Sequence, residues 1–287
     1  MKKSASVFAL GICFAALTAA APIGPYILGQ RVAGDVTKVT VEVRQALADA
    51  GFDVVGGYSP YEGAEVVVVT HPELLRVAAR SDMGGFAAAL RVGVTANDGK
   101  IEVSYTNPMW VANICRLEGG LEPVAEALEI ALGKDREFGS KKGKEAARLR
   151  KYHYMAFMPF FDDTVELASH PTHEQAVAAV ETGLAASQAG TSKVYRVDLP
   201  GKQEVLFGVA LTAGKGADAT VMATTDTGVL KHTAHLPYEL LVSGSKVYTL
   251  HGKFRIAQSF PDLGMGTFMK ISGAPDAIHR ALEAVAQ

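Results

Sequence analysis

The stretch GKIEVSYTNP, Gly99–Pro108, has a second version in GKFRIAQSFP, Gly252–Pro261, 153 residues further along the chain. Glycine, lysine and proline hold the same positions in both, and apolar residues alternate along each stretch. Alternation predicts a strand in both places, and self-similarity at this spacing indicates a duplicated domain. A second register is open, in which the hairpin signal ANDGK at Ala96–Lys100 corresponds to VSGSK at Val242–Lys246.

The rest of the chain follows the same plan twice. Each half is expected to open with an aromatic-rich strand, to continue with an amphipathic helix and two strands, and to close with a helix. Thr172, followed three residues later by Gln175, has the spacing of a helix N-cap. The predicted strands are PYILGQRVAG, FDVVGGY and AEVVVVT in the first half and KYHYMAFMPFF, KVYRVDL and EVLFGVAL in the second, and the closing helices are VAEALEIAL and DAIHRALEAVA.

The motifs ALADAGFDVVG at Ala46–Gly56, GKIEVSYTNPMW at Gly99–Trp110 and LPYELLVSGSKVY at Leu236–Tyr248 resemble the DUF302 family, with its TT1751-like fold. The resemblance implies an α+β protein of two tandem units, each an antiparallel-rich sheet with helices packed on one face. The first unit would span residues 22–133 and the second residues 152–287, with a linker at 134–151. Single-domain members are thought to pair, so the tandem would be a pseudo-dimer within one chain, with a cleft between its copies. The family has no catalytic motif to carry over.

The N-terminus has the pattern of an export signal. Lys2 and Lys3 precede an apolar run with no charged residue until Arg31, and small residues at 19–21 suit cleavage near Ala20. The prediction is therefore a signal at residues 1–21 and a periplasmic or otherwise exported protein. An uncleaved anchor through residues 5–29 is the alternative.

Composition narrows the class further. The net charge of −2 argues against nucleic acid as a partner, because neutralising phosphates needs a basic surface. Removal of the signal would leave Cys115 as the lone cysteine, so no internal disulfide is expected. The chain carries no G-x-S-x-G, HExxH, CxxC or phosphate-loop pattern. These observations favour a binding module over an enzyme.

The stretch KHTAHLP at Lys231–Pro237 places two histidines three residues apart. Residues at this spacing lie on one side of a turn, and zinc takes three or four ligands. His232 and His235, with His251 as the third ligand, are the predicted metal site, with zinc or copper as the metal. The alternative is a pair of ordinary loop histidines. Methionines near His153 and on GMGTFMK suit copper, but core packing explains them as well.

Two further sets of residues complete the candidates. Trp110 and Tyr238 are predicted to line a ligand cleft, with core burial as the alternative for Trp110. The segment Lys134–Lys151 holds eight basic residues against three acidic ones. It is either a solvated linker or a docking surface for an acidic partner or an anionic membrane, with Lys141, Lys142 and Lys144 at its centre.

The sequence thus predicts an exported, non-enzymatic binding module that holds a metal ion or a small ligand. The alternative is an accessory protein that docks an envelope or electron-transfer partner through the basic segment.

Overall fold

The computed structural model describes residues 21–287, and the predicted export signal lies outside them except for its last residue. The first part of the chain forms β1 Tyr26–Val32, α1 Val36–Asp49, β2 Asp53–Tyr58, β3 Ala64–Thr70, α2 Pro72–Arg80, β4 Leu90–Asn97, β5 Lys100–Thr106, α3 Pro108–Ile114 and α4 Glu122–Leu132. The segment that follows forms β6 Arg136–Phe138 and α5 Ala146–Leu149.

The second part of the chain forms β7 Val165–Ser169, α6 His173–Ala185, β8 Thr191–Asp198, β9 Glu204–Leu211, α7 Asp218–Thr225, β10 Tyr238–Ser243, β11 Lys246–Thr249, α8 Gly252–Ser259, α9 Met265–Lys270 and α10 Ala274–Ala286. Short 3-10 helices occur at Gly84–Ala87, Gln188–Gly190, Gly214–Gly216 and Thr233–His235.

All eleven described strands join one antiparallel sheet, which confirms the predicted α+β class. The strand order is β6-β1-β5-β4-β3-β2-β8-β9-β10-β11-β7. The two parts of the chain meet in the middle of the sheet, where β2 pairs with β8 through Gly56 and Tyr195. On either side of this junction, the strands run outward in the same relative order.

The amphipathic helices pack as their apolar periodicity predicts. Val39, Val43 and Leu47 on α1 are buried, and α1 packs against β2, β3 and β4. On α6, the Thr172 hydroxyl accepts a hydrogen bond from the backbone N–H of Gln175 at 3.3 Å, so the predicted cap is confirmed. The closing helices are α4 and α10.

The sheet is covered on both faces. Neighbouring strand residues point to opposite faces, yet Val66–Val69 of β3 are all fully buried. The 3-10 helix before β4 packs against β9 and β10, and the one before β10 packs against β3, β4 and β5. Each part of the chain therefore covers some of the strands that the other part contributes to the sheet. The sequence analysis predicted helices on one face only.

Glycine permits this close packing. A Cβ on Gly85 would lie 2.4 Å from Leu241 Cδ1, and one on Gly93 would lie 2.9 Å from Thr233 Cβ. Both glycines thus allow a 3-10 helix of one part to approach a strand of the other part.

Two predicted strands are wrong. GKFRIAQSFP forms helix α8, whose start is capped by His251, and not a strand. Four consecutive residues of this helix, Phe254–Ala257, are buried, so its apolar residues form no single helical stripe, and the alternation of Phe254 and Ile256 wrongly indicated a strand. The hairpins β4–β5 and β10–β11 instead agree with the second register, because their turns fall at ANDGK and VSGSK.

The segment KYHYMAFMPFF contains no strand or helix, and β7 begins only at Val165. Met155, Phe157 and Phe160 of this segment are exposed to solvent.

The segment 134–151 was predicted as a linker, and it contributes to the fold. Its strand β6 pairs with β1 at the edge of the sheet, and Leu149 of α5 is buried.

Residues 26–29, the end of the alternative anchor, belong to β1. Within residues 21–287, no helix is long and apolar enough to cross a membrane.

The β2–β8 junction gives a first prediction. A Cβ on Gly56 would lie 2.2 Å from the carbonyl oxygen of Val194, a backbone atom that cannot rotate away. Gly56→Ala is therefore expected to lower the free energy of unfolding by about 1–3 kcal/mol or more, measured by urea denaturation. Gly266→Ala on α9, where a Cβ meets nothing within 4 Å, is the matched control and should leave stability unchanged or slightly higher. Equal stability of the two variants would contradict the tight junction.

Candidate functional site

His232 is held in a fixed orientation by Asp226, the residue that directly follows α7. One carboxylate oxygen of Asp226 lies 2.8 Å from His232 Nδ1, and the other accepts from the His232 backbone N–H at 2.9 Å. Both side chains are largely buried, with 13% of His232 and 5% of Asp226 exposed. A carboxylate only accepts hydrogen bonds, so Nδ1 carries a proton and Nε2 is the acceptor of the neutral ring.

Three aromatic rings surround the His232 imidazole. The ring centroids of Tyr26, Phe138 and Phe260 lie 5.1, 5.4 and 4.9 Å from that of His232. A Cβ on Gly139 would lie 3.2 Å from His232 Nε2 and 2.7 Å from Pro25, so a glycine is needed beside the ring. The imidazole is therefore fixed by packing as well as by Asp226.

His232 lines a cleft of about 610 Å³, a volume typical of small-molecule sites. The cleft lies between the segment around β6, the loop between α7 and β10, and the residues from the end of α8 to α9. Its lining is mixed, because apolar side chains alternate with hydroxyl and charged groups. The lining residues are Glu137, Phe138, Gly139, Ser140, Lys141, Thr225, Thr227, Gly228, Val229, Leu230, His232, Phe260, Asp262, Leu263, Gly264 and Thr267.

His235 is a core residue with both ring nitrogens engaged. Its Nδ1 lies 2.9 Å from Arg255 Nη1, and its Nε2 lies 3.3 Å from the Tyr238 hydroxyl. Arginine only donates, so Nδ1 accepts and the proton lies on Nε2. Burial, reinforced by the positive charges of Arg255 and Arg91, lowers the pKa of His235 well below its ordinary value. The ring is therefore neutral at pH 7.

A buried charge network lies beneath His235. Glu239 on β10 pairs with Arg91 on β4 and with Arg255 on α8, whose Nε lies 3.0 Å from Glu239 Oε2. Arg255 also donates to Ser259 Oγ at 2.9 Å. All three charged side chains are at least nine-tenths buried. One carboxylate thus balances two guanidinium groups that come from opposite parts of the chain.

The three predicted metal ligands do not converge. His232 and His235 both pack against Phe260, but His251 caps α8 by accepting from the Lys253 N–H at 3.2 Å and lines a separate cavity. Among residues 21–287, no three His, Cys, Asp or Glu side chains are grouped closely enough to hold a metal ion. The geometry therefore gives no support to a zinc or copper site at these histidines.

The structure places Trp110 and Tyr238 in the core and not in a ligand cleft. The Trp110 indole N–H donates to Gln258 Oε1 at 3.2 Å, and Trp110 lines a cavity of about 20 Å³, too small for an organic ligand. The buried Tyr238 contacts His235. Buried tyrosine and tryptophan need partners for their polar atoms, and both have them.

The three predicted docking lysines separate into two places. Lys141 lines the His232 cleft. Lys142 and Lys144 line a second cavity of about 450 Å³ together with Arg148 and Lys151. The Lys144 ammonium lies 5.5 Å from the centroid of the Tyr152 ring.

Comparison of the chain with protein-family models, with curated proteins and with solved structures finds no match. The resemblance to DUF302 therefore stays a prediction that rests on the sequence motifs.

Proposed function

We propose that this protein is an exported, non-enzymatic binding module that holds a small organic ligand in the His232 cleft. The observation that carries the proposal is an imidazole fixed by Asp226 and by aromatic packing, with its Nε2 unbonded within the described residues, at a cleft of about 610 Å³. A neutral histidine held in one tautomer can accept a hydrogen bond from a donor group on a ligand through its unprotonated nitrogen. The prediction of a bound metal is not carried forward.

The lining suggests the class of ligand. Phe138, Phe260 and Leu263 offer apolar contact area, while His232 Nε2 offers an acceptor. Sites of this kind bind a mostly apolar body and orient it by a few polar groups. The proposed ligand is thus a ring-containing small molecule that carries a hydroxyl or a similar donor.

The second half of the proposal is that the chain consists of two copies of one DUF302-like unit that form a pseudo-dimer. It is supported by the shared element order, strand–helix–strand–strand–helix–strand–strand–helix, in the two parts of the chain. It is also supported by the matching strand orders β1-β5-β4-β3-β2 and β7-β11-β10-β9-β8. In this interpretation the ligand cleft belongs to the second unit and to the segment that joins the two.

The ligand proposal is tested with phenol and anisole, which share a ring but differ in the hydrogen-bond donor. Phenol is expected to bind about five- to tenfold more tightly than anisole, the effect of one hydrogen bond of about 1 kcal/mol. Binding is followed by saturation-transfer NMR on the full chain. His232→Phe keeps an aromatic ring in the cleft but removes Nε2, so the preference for phenol should disappear while anisole still binds.

The control for this test is His279→Phe, a half-exposed histidine on α10 outside the cleft. It should keep the full preference for phenol. Equal binding of phenol and anisole to the parent protein, or an unchanged preference in His232→Phe, would remove the support for the proposal.

A second candidate is an accessory role, in which the basic segment docks an envelope or electron-transfer partner. It is favoured by the basic side chains of Lys142, Lys144, Arg148 and Lys151 around one cavity.

A further inference from the structure

Five large apolar side chains are exposed on the loop that contains Phe157 and on α9. Phe157 is fully exposed, and its backbone φ of 67° is unfavourable for a residue with a side chain. Soluble proteins rarely leave a contiguous apolar surface in water, and those that do use it for binding. The exposed residues, here called the apolar patch, are Met155, Phe157, Phe160, Met265 and Met269.

Contacts of the neighbouring residues bring the two segments of the apolar patch together. The Tyr154 ring stacks on Phe268 of α9 with centroids 6.4 Å apart, and the Tyr154 hydroxyl donates to the carbonyl of Leu263. Met265 and Met269 are four residues apart on α9 and share one face. The loop and α9 therefore pack against each other, and the exposed apolar side chains come from these two adjoining segments.

The apolar patch adjoins the cavity lined by Lys142, Lys144, Arg148 and Lys151, here called the basic cavity. His153 lines that cavity, and its ring lies 4.5 Å from the Phe160 ring of the patch. The cavity lining includes Lys142, Lys144, Arg148 and Lys151. Its one lining carboxylate, Glu145, is paired with Arg148 at 3.4 Å.

Asp162 is paired with Arg116 at 2.7 Å, whereas Asp163 accepts from the neutral Phe160 N–H at 2.9 Å and keeps its negative charge. Asp262 likewise accepts from the Lys141 N–H. The four cationic side chains of the basic cavity outnumber Asp163, Asp262 and the paired Glu145, so the net charge beside the patch is positive.

We propose that this face docks on an anionic lipid surface. The apolar patch enters the boundary between headgroups and acyl chains, and the lysines of the cavity hold lipid phosphates. Aromatic and methionine side chains beside lysines have the composition of an interfacial anchor. Each lysine near an anionic membrane strengthens binding about fivefold, an effect that salt screens. A fully exposed Phe157 suits insertion into lipid better than it suits a partner protein, whose surface would have to form a pocket for it.

The test is co-sedimentation of the full chain with vesicles of 30% phosphatidylglycerol in phosphatidylcholine, compared with phosphatidylcholine alone. Binding is expected only to the anionic vesicles and should weaken between 50 and 300 mM NaCl. Phe157→Ser/Phe160→Ser and Lys142→Gln/Lys144→Gln are each expected to weaken binding by about tenfold or more. All variants carry the same N-terminal residues, so differences among them report on this face.

Matched controls come from elsewhere on the surface. Val41→Ser/Ile130→Ser removes two apolar side chains that are 63% and 76% exposed, and Lys38→Gln/Lys100→Gln removes two exposed lysines. Both control variants should bind vesicles like the parent protein.

A tryptophan at position 157 gives an independent readout. The fluorescence of Phe157→Trp should shift to shorter wavelength with anionic vesicles and stay unchanged with neutral ones, because the native Trp110 is buried. Equal binding to neutral vesicles, or equal weakening by the control substitutions, would overturn the proposal. The proposal would also be overturned, in favour of a protein partner, by the following pair of results. All variants bind vesicles like the parent protein, and the parent captures an acidic protein in a salt-sensitive way that Lys142→Gln/Lys144→Gln abolishes.

Discussion

Glu239→Gln is expected to lower the free energy of unfolding by about 3–5 kcal/mol, the usual cost of removing one partner of a buried ion pair. Among residues 21–287, Glu239 is the one carboxylate that pairs with both Arg91 and Arg255. Burial lowers the pKa of Arg91 to about 10, and Arg91 is still protonated at pH 7. Without Glu239, two positive charges would stay buried with no negative charge beside them. Urea denaturation at pH 7 measures the loss.

Two further variants separate this cause from a general effect of the substitution. Glu166→Gln removes a carboxylate that pairs with Lys246 at the surface, and it should cost no more than about 1 kcal/mol. Arg91→Met in the Glu239→Gln background removes one of the stranded charges, so it should restore part of the lost stability. A cost for Glu239→Gln no larger than that for Glu166→Gln would mean that water reaches the network.

Most of the sheet was predictable from the sequence because its signals are local. The runs AEVVVVT and EVLFGVAL became β3 and β9, and the cap at Thr172 opened α6 as expected. The errors fall where burial depends on distant residues. Four consecutive residues of helix α8 are buried, and the apolar residues around Phe157 face solvent. The hydrophobic periodicity of each segment does not indicate whether its side chains will be buried or exposed.

In the candidate site, too, the residues that are close in sequence were predictable and those that are distant were not. His232 was identified from its own stretch, and Asp226, only six residues earlier, was within reach of the same reasoning. Phe138 lies more than 90 residues before His232 in the sequence, and Phe260 lies 28 residues after it. No local sequence pattern therefore joins these two aromatic residues to His232. The metal prediction treated His232 and His235 as equivalent, yet His235 is buried and its Nδ1 accepts from Arg255. Spacing alone cannot distinguish a ring at a cleft from a ring in the core.

Asp218, at the start of α7, is a second buried acid that joins the two parts of the chain. Its Oδ2 accepts from the Tyr58 hydroxyl at 2.6 Å and from the Leu211 N–H at 3.2 Å, and its Oδ1 has no partner among the described residues. Burial raises the pKa of Asp218 from 3.8 to about 7, although both hydrogen bonds act to lower it. The folded protein therefore keeps a proton that the unfolded chain releases.

The sign of the resulting pH dependence follows from proton linkage. Between pH 3.8 and about 7, the unfolded chain binds fewer protons at Asp218 than the folded protein does, so the free energy of unfolding falls as pH rises. The fall amounts to about 4 kcal/mol in total, at about 1.4 kcal/mol per pKa unit. His235 acts in the opposite sense below pH 6.5, because its lowered pKa leaves the folded protein without a proton that the unfolded chain binds. The two contributions offset each other in the parent protein.

Asp218→Asn isolates the carboxyl contribution, because His235 is common to both proteins and cancels in the difference. The stability of the parent protein relative to Asp218→Asn is expected to fall by about 4 kcal/mol between pH 4 and pH 8, measured by urea denaturation across that range. Tyr58→Phe removes a hydrogen bond that lowers the pKa of Asp218, so in that variant the fall should extend to higher pH. A difference between parent and Asp218→Asn that does not change with pH would mean that Asp218 is ionised in the folded protein throughout. Its negative charge would then need a cation that none of its observed partners supplies, since Tyr58 and Leu211 are both neutral.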